Sequence, residues 1–176
     1  MINNQQQPNP LPLSPNVSDS KLYFAYGSNL HPDQMEARCP GSTVVSSGVL
    51  KGYRLAFRGN SKRWGNGGVA TIIPHASSLV YSVLYRMEQN HVEALDKWEG
   101  TPRVYRQIEV TVTGPGGSPM QGYTYQKNDT SETRPPSMAY FHQIWQNYRR
   151  FNLNERLLME AVQESLNIPG GFALEG

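Results

Sequence analysis

The residues best suited to chemistry in this sequence are Glu99, at the end of a predicted helix, and a glycine-containing turn at Tyr26–Leu30. The helix is predicted to span Asn90–Glu99 and to end at Gly100. The negative end of a helix dipole disfavours a carboxylate, and partial burial would act in the same direction, so we expect a raised pKa for Glu99. Such a carboxylate suits a general acid or base near neutral pH. The alternative is an ordinary surface glutamate at a helix end.

The turn follows an apolar and aromatic segment, Leu22–Tyr26, whose composition favours a buried strand. Gly27 interrupts the strand, since glycine can adopt backbone conformations that other residues avoid. Ser28, Asn29 and Pro32 are residues that start helices. A turn between a strand and a helix directs free backbone N–H groups toward one point and could bind a carboxylate, a phosphate or an oxyanion. It could equally be an ordinary turn with a structural glycine.

A second loop, Arg58–Gly68, is dense in glycine and positive charge. It could lie over a ligand that carries a carboxylate, or it could be a solvated hairpin loop. It lacks the Gly-Lys-Ser/Thr sequence of a Walker loop and the spacing of a dinucleotide fingerprint.

The composition limits the classes of partner. The chain has 176 residues, which suits one domain, and its net charge of +2 comes from acidic and basic residues mixed along the sequence. This pattern argues against a nucleic-acid surface or a polybasic membrane anchor. The single cysteine, Cys39, excludes an internal disulfide, and the four histidines occur singly, so we expect no metal site.

The first twenty residues are rich in Asn, Gln, Pro and Ser and lack the apolar core of a signal peptide. No hydrophobic run in the sequence is long enough to span a membrane. We therefore predict a disordered tail at residues 1–20, a single domain at residues 21–168 and a C-terminal tail at residues 169–176. A cytoplasmic protein is the expectation.

Short apolar runs separated by turn residues predict about six strands. The candidates are Leu22–Tyr26, Val44–Phe57 with a break near Gly48, Val69–Pro74, Leu79–Met87, Val104–Thr113 and Gln121–Gln126. The predicted helix starts are a capping pair at Asn90 and Glu93, the sequence Pro135-Pro136-Ser137, and a cap at Asn152 with Glu155. The short connections indicate mostly antiparallel strands, so the predicted fold is α+β, a small barrel with helices outside it.

Several short segments occur in a distinctive order. They are Leu22–Leu30, Gly67–Ile72, Leu95–Gly100, Tyr105–Val110, Gly122–Tyr125, and Pro135-Pro136-Ser137 with Tyr140. This series resembles the γ-glutamylcyclotransferase family of the AIG2-like superfamily, and it covers about residues 21–150. Residues 1–20, Lys97-Trp98 and the sequence after Phe151 match nothing in the family pattern.

The resemblance implies a mixed β-barrel with flanking helices and an enzyme that needs no cofactor. In the family, the glutamate of a Leu-Asp-x-x-Glu-Gly segment is the catalytic acid/base, and Glu99 is in that register. The implied substrate-binding residues are Tyr26, Gly27, Ser28, Asn29, Leu30, Tyr105, Tyr125 and Tyr140.

The implied reaction is intramolecular aminolysis of a small γ-glutamyl amide, which releases 5-oxoproline and a free amine, as in glutathione metabolism. One alternative is the same fold acting on γ-glutamyl-lysine or on a γ-glutamylated biosynthetic intermediate. Another is a binding module that has kept the pocket without the activity. Whether the protein forms a homodimer is left open.

Overall fold

The structure is a computed structural model that describes residues 20–166. The predicted tails at residues 1–20 and 169–176 lie outside the described residues, apart from Ser20. None of the helices between residues 20 and 166 has the length and apolar composition that a bilayer crossing requires.

Five strands close into a barrel in the order β1, β3, β2, β4, β5. They are β1 (Lys21–Ala25), β2 (Thr43–Ser61), β3 (Gly67–Met87), β4 (Tyr105–Thr113) and β5 (Pro119–Lys127). Neighbouring strands run antiparallel, except that β1 and β5 are parallel where Tyr23 lies beside Tyr123. The predicted fold, a small, mixed but mostly antiparallel barrel with flanking helices, is confirmed.

The prediction of six strands was wrong by one, because Val69–Pro74 and Leu79–Met87 are two parts of the single strand β3. The residues between them are polar and exposed, which locally resembles a loop. β2 pairs with β3 on both sides of these residues, up to Lys51–Leu79 and again from Tyr53–Pro74, so residues 75–78 form a bulge within one strand. The predicted break near Gly48 is likewise absent, since Gly48 stays paired with Ser82.

Four α-helices flank the barrel. They are α1 (Pro32–Arg38), α2 (Gln89–Glu99), α3 (Met138–Arg150) and α4 (Glu155–Ser165). As predicted, Pro32 is the first residue of α1, Gly100 follows the last residue of α2, and Ser137 caps α3.

Three predicted helix starts were wrong by one to three residues. Ser28 and Asn29 lie in a 3₁₀ turn, Ser28–Leu30, and His31 caps α1 in their place. Glu88 forms the capping box of α2 with His91, instead of Asn90 with Glu93. Asn154 caps α4, whereas Asn152 has a positive φ of 52° in the preceding turn. A capping side chain must stand immediately before the first helical residue, and spacing alone locates that position only approximately.

The barrel interior contains a cluster of tyrosines. It consists of Tyr23, Tyr85, Tyr123 and Tyr125. In the four contacting pairs among these rings, the ring centroids are 5.4–6.4 Å apart. All four are buried. Because a buried tyrosine brings a hydroxyl group with it, this core offers hydrogen-bonding groups next to the residues that form the site.

Candidate active site

Glu99 is the last residue of α2, as predicted. Gly100, in the left-handed conformation at φ 68°, ends the helix, and the buried residues Val92 and Leu95 hold it against the barrel. The Glu99 side chain is only 16% exposed. The carboxylate is therefore presented by a rigid element and is largely withdrawn from solvent.

Glu99 faces a small cavity, with about 30 Å³ open to the centre of a water-sized sphere. The cavity is lined by Tyr23, Tyr26, Gly27, Ser28, Asn29, Ala70, Glu99, Tyr105, Tyr125 and Tyr140. Polar groups converge on it from the turn, from α2 and from three tyrosines. A larger groove along β4 and β5 contains neither Glu99 nor the turn.

The cavity brings together every residue that the sequence assigned to the site, with one exception. Leu30 does not line it, because its side chain is fully buried in the hydrophobic core. Conversely, Tyr23 and Ala70 line the cavity although they were not among the predicted site residues. Within residues 20–166, no group of three His, Cys, Asp or Glu side chains is arranged to hold a metal ion.

The Asn29 side chain connects the turn to Glu99. Its Nδ2 donates to Glu99 Oε1 at 2.9 Å and to the Tyr23 hydroxyl at 2.8 Å. Its Oδ1 accepts from Arg38 at 2.6 Å and from Gln34 at 2.9 Å. All donors and acceptors of this buried amide are thus in use, which fixes its orientation and, through it, the position of the carboxylate.

Arg38 is a site residue that the sequence analysis missed. It is 7% exposed, and its guanidinium lies 3.6 Å from Glu99 Oε1. Gln34 and Arg38 are four residues apart on α1 and therefore share the helix face that contacts Asn29. The spacing of Gln34 and Arg38 was visible in the sequence, but Glu99, the carboxylate that Arg38 faces, lies on α2.

The pKa of Glu99 is raised above its ordinary value, mainly because burial penalises the charged carboxylate. Arg38, the hydrogen bond from Asn29, and Arg63 act in the opposite direction, and Asp96 adds a smaller upward effect. The sequence also predicted a raised pKa for Glu99, but it named the helix terminus first, whereas burial is the leading cause of the shift. The carboxylate is thus poised to exchange a proton closer to neutral pH than an exposed glutamate would be.

This raised pKa predicts how stability depends on pH. The unfolded chain loses the Glu99 proton near the ordinary value of 4.5, whereas the folded protein holds it to higher pH. Ionisation of Glu99 therefore costs the folded state stability as the pH rises from 4.5 through the raised pKa. We expect Glu99→Gln to gain thermal stability relative to the original protein over this pH range. Melting temperatures of both proteins from pH 4 to 8 measure it, and a difference that stays constant with pH would contradict the prediction.

Gly27 stands where a side chain would be crowded. Its φ of −110° is not in the left-handed region that favours glycine, and its ψ of −138° lies outside the helical and extended regions. A Cβ atom here would lie 3.1 Å from the Ala70 Cβ and 3.2 Å from the Tyr140 hydroxyl. Glycine thus allows β1 to lead into the turn close against β3 and α3.

The turn itself offers backbone donors. The amides of Leu30 and His31 donate to the carbonyls of Gly27 and Ser28 and are unavailable to a ligand. Among the described residues, no backbone carbonyl accepts from the amides of Ser28 or Asn29. The Ser28 amide is directed at the Tyr140 hydroxyl. Anion binding by the backbone N–H groups of this turn therefore stays a prediction, and the Asn29 amide is its main candidate donor.

Two tyrosine hydroxyls meet at Ala70 on β3. Tyr105 donates to the Ala70 carbonyl at 3.0 Å, and the Tyr140 hydroxyl accepts from the Ala70 amide at 3.2 Å. Burial raises the pKa of Tyr105 and raises that of Tyr140 to about 12. Both hydroxyls are therefore neutral near neutral pH. Tyr105 already donates its proton to Ala70, whereas the Tyr140 hydroxyl accepts from backbone amides and keeps its proton for a further hydrogen bond.

Tyr125 connects the barrel interior to α2. Its hydroxyl donates to Asp96 Oδ1 at 2.8 Å, and Gln107 donates to the same oxygen at 2.7 Å. The Tyr26 hydroxyl donates to the Tyr125 carbonyl. Asp96 lies one helical turn before Glu99, so these bonds hold the end of α2 over the cavity.

Comparison with known proteins identifies the relationship. Residues 23–147 match the family model described as gamma-glutamyl cyclotransferase, AIG2-like. The chain belongs to this family. The matched residues run from β1 to α3 and so include both Glu99 and the turn. The predicted family resemblance is confirmed.

Individual relatives agree with the family match. The γ-glutamylcyclotransferases of Bos taurus and Homo sapiens are 35% and 32% identical over 126 residues. In both cases the alignment covers 69% of this chain and 66% of the relative's own length. A solved γ-glutamyl cyclotransferase structure superposes with a TM-score of 0.72 at 26% identity, covering 89% of this chain and 92% of that one.

Proposed function

We propose that this protein is a γ-glutamylcyclotransferase that uses Glu99 as its general acid and base. The observation that supports this proposal most strongly is the bond from Asn29 Nδ2 to Glu99 Oε1, 2.9 Å long. It joins a carboxylate of raised pKa to the glycine-containing turn, and both line the same cavity. Family membership supplies the reaction type.

In this proposal the glutamyl group of the substrate occupies the cavity. Its α-carboxylate is held by the backbone amides of Ser28 and Asn29. Tyr105, Tyr125 and Tyr140 form the opposite wall and orient the glutamyl chain. The γ-carbonyl and the α-ammonium are thereby brought close to each other beside Glu99. Because nucleophile and electrophile belong to one molecule, correct positioning removes much of the barrier.

Glu99 first removes a proton from the α-ammonium, and the resulting amine attacks the γ-carbonyl carbon. A carbon–nitrogen bond forms, and the carbonyl oxygen becomes an oxyanion that requires hydrogen-bond donors. The neutral Tyr140 hydroxyl, which accepts from the Ala70 amide and keeps its own proton, and the Asn29 amide are the candidate donors around the cavity.

Collapse of the intermediate breaks the bond to the leaving nitrogen, which Glu99 protonates. Of the three protons on the original ammonium, one remains on the lactam nitrogen and the other two end on the leaving amine. The carboxylate therefore finishes in the state in which it began. The products are 5-oxoproline and a protonated amine, and no external acid or base is consumed.

A substrate panel tests this function. We expect the purified protein to release 5-oxoproline from γ-glutamyl-alanine or glutathione, detected by mass spectrometry. Release from γ-glutamyl-lysine alone would favour the alternative of a specialised substrate. Binding of these compounds without release of 5-oxoproline would instead indicate a binding module, and the proposed activity would be refuted.

A further inference from the structure

Arg63 is an exposed cation near Glu99 with no acidic partner. It lies in the 3₁₀ turn Lys62–Trp64 between β2 and β3. Among residues 20–166, no carboxylate lies within ion-pair distance of its guanidinium. Its charge nevertheless acts on both Glu99 and Arg38, lowering the pKa of each. It is therefore close enough to the catalytic carboxylate to influence it and free to bind something else.

Trp98, the residue before Glu99, holds the Arg63 guanidinium. The Arg63 Cζ atom lies 4.8 Å from the centroid of the Trp98 ring, and the Arg38 Cζ atom lies 5.2 Å from the same ring. Trp98 is 51% exposed, which is unusual for a large aromatic side chain. A cation held on an aromatic face keeps its N–H donors available in its plane.

The turn that carries Arg63 is fixed in place. A Cβ atom on Gly67 would lie 2.3 Å from the Ser137 amide nitrogen, and one on Gly68 would lie 2.0 Å from the Arg134 carbonyl oxygen. Trp64 packs on Tyr140, a cavity residue, with 4.7 Å between ring centroids. The two glycines thus let the hairpin dock against the segment before α3, and its arginine is held at the rim of the cavity.

In the proposed reaction the leaving group lies next to Glu99, because Glu99 has to reach the leaving nitrogen. Arg63 is a cation near Glu99 that does not itself line the cavity. In an amino acid the carboxylate carbon lies only about 2.5 Å from the nitrogen, given the standard bond lengths. A leaving amino acid therefore places a carboxylate close to Glu99, where a like charge would be repelled unless a cation is present. Arg38 is buried and bound to Asn29, whereas Arg63 is exposed.

On the basis of the proposed function, we infer that Arg63, held on Trp98, binds the carboxylate of the leaving group and selects γ-glutamyl amino acids over γ-glutamyl derivatives of uncharged amines. The guanidinium fork matches a carboxylate in shape as well as in charge. The inference gives the glycine-rich, cationic loop Arg58–Gly68 a ligand. It also gives Trp98, in the Lys97-Trp98 pair that departs from the family pattern, the role of holding Arg63.

A matched pair of substrates tests this inference. γ-Glutamyl-alanine and γ-glutamyl-alaninamide differ only in the carboxylate of the leaving group. For the original protein we expect kcat/KM to favour the acid by about tenfold or more, as hydrogen bonds to charged groups contribute. Arg63→Gln should abolish most of this preference by lowering kcat/KM for the acid alone. Lys62→Gln, which removes a neighbouring exposed charge from the same turn, is the control and should keep the preference.

The ratio of the two substrates isolates the role of Arg63. Loss of Arg63 also alters the pKa of Glu99, but that affects both substrates equally and cancels in the ratio. An equal loss for both substrates, or the same change in Lys62→Gln, would overturn the inference and leave the proposed function intact. If the original protein releases 5-oxoproline from neither substrate nor from glutathione, the proposed function itself fails.

Discussion

Glu99→Gln is expected to lower kcat for γ-glutamyl substrates by about 10²–10⁴-fold, the range that general acid–base catalysis contributes. Glutamine has nearly the same shape and keeps an oxygen that can accept from Asn29 Nδ2, now 2.9 Å from Glu99 Oε1. It cannot take the proton of the α-ammonium. Turnover should therefore be lost while the fold and the affinity for 5-oxoproline are retained. Steady-state kinetics, circular dichroism and calorimetric titration with 5-oxoproline measure these three properties.

Glu93→Gln is the matched control for this substitution. Glu93 lies on the same helix but is exposed, and within residues 20–166 its side chain accepts one hydrogen bond, from Gln89 at 3.1 Å. Its replacement makes the same change in charge and should leave kcat unchanged. Normal turnover by Glu99→Gln would show that another group moves the protons.

The parts of the fold that the sequence predicted are those specified by local patterns. Gly100 locates the end of α2, since a left-handed residue there requires glycine, and Pro32 locates the start of α1. The division of β3 into two strands was wrong because both of its halves pair with the same strand, β2, on either side of an unpaired bulge at residues 75–78. Local composition cannot distinguish a loop from an exposed stretch of strand whose partner is unknown.

The site shows the same division between local and tertiary information. Residue types suggested the turn and Glu99 separately, but they left ordinary structural roles open for both. Only the family resemblance favoured the functional roles. Arg38 could not be selected, because its importance arises where α1 meets the end of α2. The crowding around Gly27 could not be predicted either, since its neighbours Ala70 and Tyr140 come from β3 and α3. Residue types suggested the chemistry, and tertiary packing determined the electrostatic environment.

That environment combines opposing effects on one carboxylate. Burial of Glu99 favours the neutral form, whereas Arg38 and Asn29 favour the charged form. A base must be ionised to accept a proton yet hold it long enough to return it to the leaving amine. Burial alone would leave the carboxylate protonated, and the cation alone would make it too weak a base. The balance between them is therefore the property on which the proposed mechanism depends, and it can be tested at Arg38.

Arg38→Met is expected to reduce kcat/KM at neutral pH by about 10²-fold, the size of effect that misplacing a catalytic group produces. Methionine fills part of the buried space without a charge. Two consequences follow: Asn29 loses its 2.6 Å hydrogen bond, and Glu99 loses the cation that lies 3.6 Å away. Since Arg38 lowers the pKa of Glu99, its removal must raise that pKa further. The acidic limb of the profile of kcat/KM against pH should then move to higher pH, with part of the lost activity recovered in alkaline buffer.

The pH profile separates this electrostatic role from general damage to the fold. Arg58→Met is the control, because Arg58 is also buried, at 5% exposure, but pairs with Glu164 on α4 away from the cavity. It should lose stability and keep the original pH profile. Arg38→Met should show the displaced acidic limb even if its stability is unchanged, because the missing charge acts directly on Glu99. An Arg38→Met profile that is lowered equally at every pH would mean that Arg38 only supports the turn through Asn29. Its charge would then have no part in setting the pKa of Glu99.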